Sequence, residues 1–141
     1  EKGVYALPKP ALDELRRTFS AGWCSEEDTL ETIKRVFENT GYLMDPHTAV
    51  AQRVYERYAA QTGDSTRTVL LSTANPYKFA GDVLGAFEKP DGDDFKNVER
   101  LHALTGTPVP QGISGLAGKP ELHLDVCELD DMPRRVLAPV Q

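Results

Sequence analysis

The run Leu70-Leu71-Ser72-Thr73-Ala74-Asn75-Pro76-Tyr77-Lys78-Phe79 constrains the chain more than any other stretch, because it changes character three times in ten residues. Arg67 to Leu71 places Thr68 and Val69 among apolar neighbours without helical alternation. A short run of that kind reads as a strand covered on both faces. Pro76 suits the first turn of a helix, where a missing N–H costs nothing, and it biases Asn75 toward an extended backbone. The expected order is strand, tight turn, helix. A turn of this type directs backbone N–H groups and hydroxyls out of the carboxyl edge of a sheet, where open α/β folds place ligands.

Upstream, Leu12, Leu15 and Phe19 recur at helical spacing and predict a short amphipathic helix from Pro10 to Phe19. Ser25 with Asp28 forms a capping-box pattern for a second helix, whose buried stripe is Leu30, Ile33 and Phe37 and whose C-cap is Gly41. Glu31 and Arg35 are placed to pair along its solvated face. Tyr42-Leu43-Met44 is a short extended apolar step, and Asp45-Pro46 starts a third helix that runs to about Gln61 on Val50, Val54 and Tyr58. Past Pro76, the positions Phe79, Val83 and Phe87 predict a helix in which Gly81 and Gly85 permit close packing on a sheet. Phe95, Val98 and Leu101 mark the next helix, ending near Gly106. Residues 107–120 read as a surface connection, since Gly112, Gly115 and Gly118 lack the spacing of a phosphate loop. Leu122, Leu124 and Val126 alternate with His123, Asp125 and Cys127 as an edge strand would, and a short helix from about Asp130 to Leu137 closes the chain.

With 141 residues the chain has the length of one domain, taken as 1–141. A formal charge of −6, with acids clustered at Glu26-Glu27-Asp28, Asp93-Asp94 and Asp130-Asp131, argues against a nucleic-acid or anionic-membrane surface. Cys24 and Cys127 stand far apart without metal-ligand spacing, so no metal site and no disulfide framework is expected, and two free thiols suit a cytoplasmic protein. No apolar run has the length of a membrane span, and Glu1-Lys2-Gly3-Val4-Tyr5 is not a signal peptide. An opening without Met, in mid-pattern, is equally compatible with a piece of a longer chain.

One device occurs twice: an extended step into Asp45-Pro46-His47-Thr48-Ala49, and another into Ser72-Thr73-Ala74-Asn75-Pro76. Parallel strands joined by right-handed crossovers would bring both helix starts to one sheet edge, framing one site. Lys78 would oppose the dipole of its helix, which leaves two readings open: a bound anion nearby, or a side chain extended into solvent. Taken singly, Asp45 reads as an N-cap, His47 as a first-turn histidine and Thr73 as a turn residue.

Together, Gly41-Tyr42-Leu43-Met44-Asp45-Pro46-His47-Thr48-Ala49-Val50-Ala51 and Ser72-Thr73-Ala74-Asn75-Pro76-Tyr77-Lys78-Phe79 resemble two motifs of the threonine synthases, at about the family's separation. The helix start at Ser25-Glu26-Glu27 and the tail Gly115 to Leu137 extend the resemblance over most of the chain. Asn75 departs from it, standing where relatives often carry His or Ser. The resemblance implies a partial open three-layer α/β/α sheet, part of a fold-type II pyridoxal-phosphate enzyme similar to the tryptophan synthase β chain. It implies a lyase of threonine biosynthesis that converts O-phosphohomoserine and water to threonine and phosphate. The Schiff-base lysine, in a Phe-Lys-Asp motif, and the glycine-rich phosphate loop would lie upstream, and none of Lys2, Lys9, Lys34, Lys78, Lys89, Lys96 and Lys119 sits in that setting. The chain then has no catalytic residue of its own and would be the carboxyl-terminal portion, inactive alone. Residue by residue, the resemblance implies that Thr73 faces the pyridine nitrogen of pyridoxal 5'-phosphate, that Asp45 and His47 line the cofactor side, and that Lys78 meets the substrate phosphate or a neighbouring carboxylate.

The alternative from another class is a non-catalytic anion-binding or regulatory module using the two helix starts. A third reading is another enzyme of the same fold type, such as a threonine dehydratase. A partial sheet would expose surface, so self-association or poor solubility is expected as well.

Overall fold

A computed structural model describes residues 3, 5–122 and 124–138. Among them helices are the sole regular elements. Helix α1 spans Lys9–Thr18, α2 Glu26–Thr40 and α3 Pro46–Thr62. A 3-10 turn at Pro76–Phe79 leads into α4, Ala80–Leu84, followed by α5, Asp94–Thr105, and the single-turn α6, Gln111–Ser114. A last 3-10 turn, Leu129–Asp131, runs into α7, Met132–Leu137.

This corrects the expected α/β fold: no strand and no sheet occur among the described residues. A strand exists only where a neighbour completes its ladder of hydrogen bonds. The run Arg67 to Leu71 has no such neighbour and is open to solvent, with Val69 79% and Leu71 76% exposed. Leu43 and Met44 lie outside any helix and are buried, but it is a core of helical residues that covers them. The edge strand expected at Leu122–Cys127 is absent at 122 and 124–127, and His123 lies outside the described residues, as do Glu1, Lys2 and Val4. Self-association through an exposed sheet loses its basis with the sheet.

Helix boundaries follow local chemistry. The Ser25 side chain accepts from the Asp28 N–H while the Asp28 carboxylate accepts from the Ser25 N–H, closing the capping box of α2. Asp45 caps α3, accepting from the N–H groups of His47 and Thr48 ahead of Pro46. Gly41 ends α2 at φ 73°, a left-handed conformation that a side chain disfavours. The helix expected from Pro76 through Phe87 instead tightens into a 3-10 turn and stops at Leu84.

The core joins the middle of the chain to its second half. Ile33, Ala49, Val83, Leu84 and Leu101 are sealed from solvent, with Leu43, Met44, Tyr77, Ala80 and Val98 around them. Phe37 meets Phe87 edge-on at 5.6 Å between ring centroids. Gly81 allows α4 to approach α5, because a Cβ there would stand 3.3 Å from Asn97 Nδ2. The close packing anticipated at this glycine is against a helix.

Other expected faces shift. Helix α1 buries nothing, and Leu15 and Phe19 are exposed. In α3 the buried residues are Thr48 and Ala49, while Val50, Val54 and Tyr58 are half-buried. Arg35 pairs across to Glu56 at 2.7 Å rather than along its own helix to Glu31. Asp28 holds both Arg53, at 3.0 Å, and Arg57, at 2.7 Å, so one capping carboxylate also pins α2 to α3.

Candidate functional site

The two helix starts do meet, although no sheet brings them together. Tyr42 and Leu43, which lead into α3, line with Ser72, Thr73, Ala74 and Asn75 an open recess of about 470 Å³ to which Thr107 also contributes. That volume falls within the usual range for small-molecule sites. Two contacts tie the sides: the Tyr42 hydroxyl donates to Ser72 Oγ at 3.2 Å, and Thr48 Oγ1 lies 3.4 Å from the same oxygen. Thr107 is fixed from behind, its carbonyl accepting from the Tyr77 hydroxyl and standing 2.8 Å from His102 Nδ1.

Thr73 lies on the recess wall and is exposed. Asp45 does not reach the recess surface. Its side chain is 0% exposed and its oxygens are engaged internally, by the hydroxyl and N–H of Thr48, the N–H of His47, and His47 Nδ1 at 3.2 Å. Burial pushes its carboxyl upward, but the hydrogen bonds from Thr48 and then His47 outweigh that effect and leave it below the usual range. The electropositive start of α3 is thus filled by the chain's own carboxylate.

His47 and Lys78 stand outside the recess. The His47 ring packs beside Phe79 at 5.0 Å between centroids, and Lys78 Nζ lies 5.8 Å from the centroid of the same ring. Lys78 is exposed at the lip of a separate hollow with Asp82 and Asp94. Its helix is a four-residue 3-10 turn, too short for the dipole argument that singled it out.

Sequence reasoning passed over Tyr42, Thr48, Ser72 and Thr107 as site residues. All four belong to local patterns that carry no chemical signature. Only contacts between residues 24 and 30 positions apart reveal their common place.

The described residues build a helical fold with a recess, open to solvent, whose lining includes the hydroxyls of Tyr42, Ser72, Thr73 and Thr107. Residues 48–137 match the family described as threonine synthase, C-terminal, and the chain belongs to that family. The matched span includes Thr73 and Lys78 and begins just after Asp45 and His47. The chain is 34% identical over 84 residues to threonine synthase-like 1 of Homo sapiens, an alignment covering 60% of this chain and 11% of that protein. It is 37% identical over 89 residues to threonine synthase of Saccharomyces cerevisiae, covering 60% and 17%. For the Pseudomonas aeruginosa threonine synthase the identity is 39% over 77 residues, covering 55% and 16%. The chain therefore matches about one-tenth to one-sixth of the length of these relatives. Among the described residues no helix is long and apolar enough to cross a membrane.

Proposed function

We propose that this chain is the carboxyl-terminal segment of a cytoplasmic threonine synthase, a pyridoxal-phosphate-dependent lyase that turns O-phosphohomoserine and water into threonine and phosphate. The observation that carries this reading is the recess in which the two family motifs face each other, Tyr42 and Leu43 opposite Ser72 to Asn75. Its size and its neutral hydroxyl lining fit the edge of an aromatic cofactor. Thr73 would hold the cofactor by donating its hydroxyl proton to the pyridine nitrogen. A hydroxyl can form that bond but cannot keep the nitrogen protonated as a carboxylate would, so electron withdrawal is moderated. When bound, the cofactor supplies an electron sink for proton transfers at the substrate's α and β carbons.

The remaining residues act from further away. Asp45 and His47 support the cofactor side by fixing the start of α3, rather than by touching the ring. Lys78, exposed beside Phe79, meets the substrate phosphate when the rest of the site is assembled. Among the described residues no lysine lines the recess, and on this reading the Schiff-base lysine comes from another part of the parent. The anion-binding module loses ground, because the Asp45 carboxylate already occupies the start of α3.

The test is activity and cofactor absorbance of a full-length parent carrying Thr73→Ala. A fall in kcat of about tenfold, the scale of one lost hydrogen bond, with an altered cofactor spectrum is expected. An unchanged enzyme would remove Thr73 from the site.

A further inference from the structure

Three hydroxyls, those of Tyr42, Ser72 and Thr48, stand in series at the recess and lead to the carboxylate of Asp45, which never reaches it. Asp45 is buried and, when ionised, can only accept. The Thr48 hydroxyl donates its single proton to Asp45 Oδ2. Thr48 Oγ1 can then meet Ser72 Oγ, 3.4 Å away, only as an acceptor, so a bond between the two is made with Ser72 as the donor. With that proton committed, Ser72 Oγ receives the Tyr42 hydroxyl at 3.2 Å. Tyr42 then faces the recess with lone pairs alone.

We propose that Tyr42 is a specificity-determining residue: its oxygen, held as an acceptor by the relay Ser72–Thr48–Asp45, takes a hydrogen bond from an N–H or O–H of the bound ligand and disfavours an anionic oxygen at that point. The relay stands on the geometry alone, whereas the ligand's identity as the substrate or cofactor of threonine formation rests on the proposed function.

The same geometry says how to reverse it. Asp45 Oδ1 receives the N–H groups of His47 and Thr48, which demand an acceptor. In Asp45→Asn the amide oxygen must take that position, leaving the NH2 group against Thr48 Oγ1. Thr48 would then donate to Ser72, Ser72 to Tyr42, and Tyr42 would point its proton into the recess.

The ring doublet in the Raman spectrum of tyrosine distinguishes a donating from an accepting phenol. It is read for Tyr42 by subtracting the Tyr42→Phe spectrum from that of the 141-residue chain, with circular dichroism confirming the fold of each variant. Relative to Ser72→Ala, whose phenol meets solvent alone, the wild-type doublet should shift toward the donor pattern and that of Asp45→Asn toward the acceptor pattern. A doublet unchanged in both variants overturns the relay, and Ser72→Ala decides the matter if Asp45→Asn fails to fold. In the full-length parent, Tyr42→Phe should raise KM for O-phosphohomoserine about three- to tenfold with little change in kcat. An unchanged KM overturns the ligand role. A wild-type parent that forms no threonine overturns the proposed function instead, and the Raman result still decides the relay.

Discussion

Arg57 reaches from α3 to the capping carboxylate of α2, its Nη2 2.7 Å from Asp28 Oδ2, while another of its nitrogens bonds the Trp23 carbonyl at 3.2 Å. One residue thus ties the helix hairpin together and secures the link that precedes it. Arg53 holds the other oxygen of Asp28 at 3.0 Å, so the carboxylate answers to two guanidinium groups and to the first turn of its own helix.

That arrangement makes stability sensitive to acid. The Arg57 guanidinium, then Arg53 and Ser25, hold the Asp28 carboxyl far below the usual carboxylate range. For Glu56, burial pushes upward, but Gln52 and Arg35 outweigh it and leave its carboxyl lowered too. Groups with a folded pKa below the unfolded one stabilise the native state above the unfolded value, about 4, and lose that contribution as pH falls through the folded value. Thermal midpoints measured from neutral pH downward should fall below about pH 4. In Asp28→Asn the midpoint should be lower at neutral pH and fall less steeply in acid. Parallel acid limbs in the two proteins would show that Asp28 does not carry the effect.

Core truncation should separate the packed helices from α1. Ile33 is fully buried, so Ile33→Ala should cost about 2–5 kcal/mol in urea unfolding. Leu15→Ala, on a helix that buries nothing, should change stability by less than about 0.5 kcal/mol. Comparable losses would mean that α1 docks on the core.

Gly41 tests the backbone alone. A Cβ there meets nothing within 4 Å, yet φ is 73°. Gly41→Ala should therefore destabilise by about 1 kcal/mol through conformation and not through a clash. Gly92, with equally open surroundings and no positive φ, should accept alanine without loss. Chemical denaturation of both variants checks the contrast.

The isolated chain should not capture the cofactor at a defined place. Borohydride reduction in the presence of pyridoxal 5'-phosphate should leave only scattered lysine labelling, because among the described residues no lysine lines the recess. Peptide mapping that finds one dominant lysine would contradict the division of the site across the parent chain.

What could be read from sequence was local. Ser25 with Asp28, Asp45 with Pro46, and the glycines at 41, 63 and 106 state where α2, α3 and α5 begin or end within a few residues of themselves. Strands are not local objects. The apolar run at Arg67–Leu71 has a strand's composition, and composition cannot supply the neighbouring strand that would make it one. A parallel sheet was expected to bring the helix starts at Asp45–Ala49 and Ser72–Pro76 to one edge. A shared helical core holding Tyr77, Ala80 and Leu84 with Ile33 and Ala49 joins these parts of the chain instead, and it is Tyr42 and Leu43, ahead of Asp45, that line the recess with Ser72 to Asn75. Ser72 and Thr48 stayed invisible because a hydroxyl has no signature until its partner is known.

Tyr42 and Ser72 are 30 positions apart, and the exposed connection at residues 63–75 leads back to the recess. In the order of folding, that distance ranks the recess last. The hairpin of α2 and α3 needs only a short loop to close, whereas the recess must also bring back a long unstructured stretch against its entropy. Its amides should exchange with solvent while those of the hairpin remain protected. The recess wall is then held more lightly than the hairpin beneath it, and anything bound there would add more to local stability than the same contacts made on the hairpin.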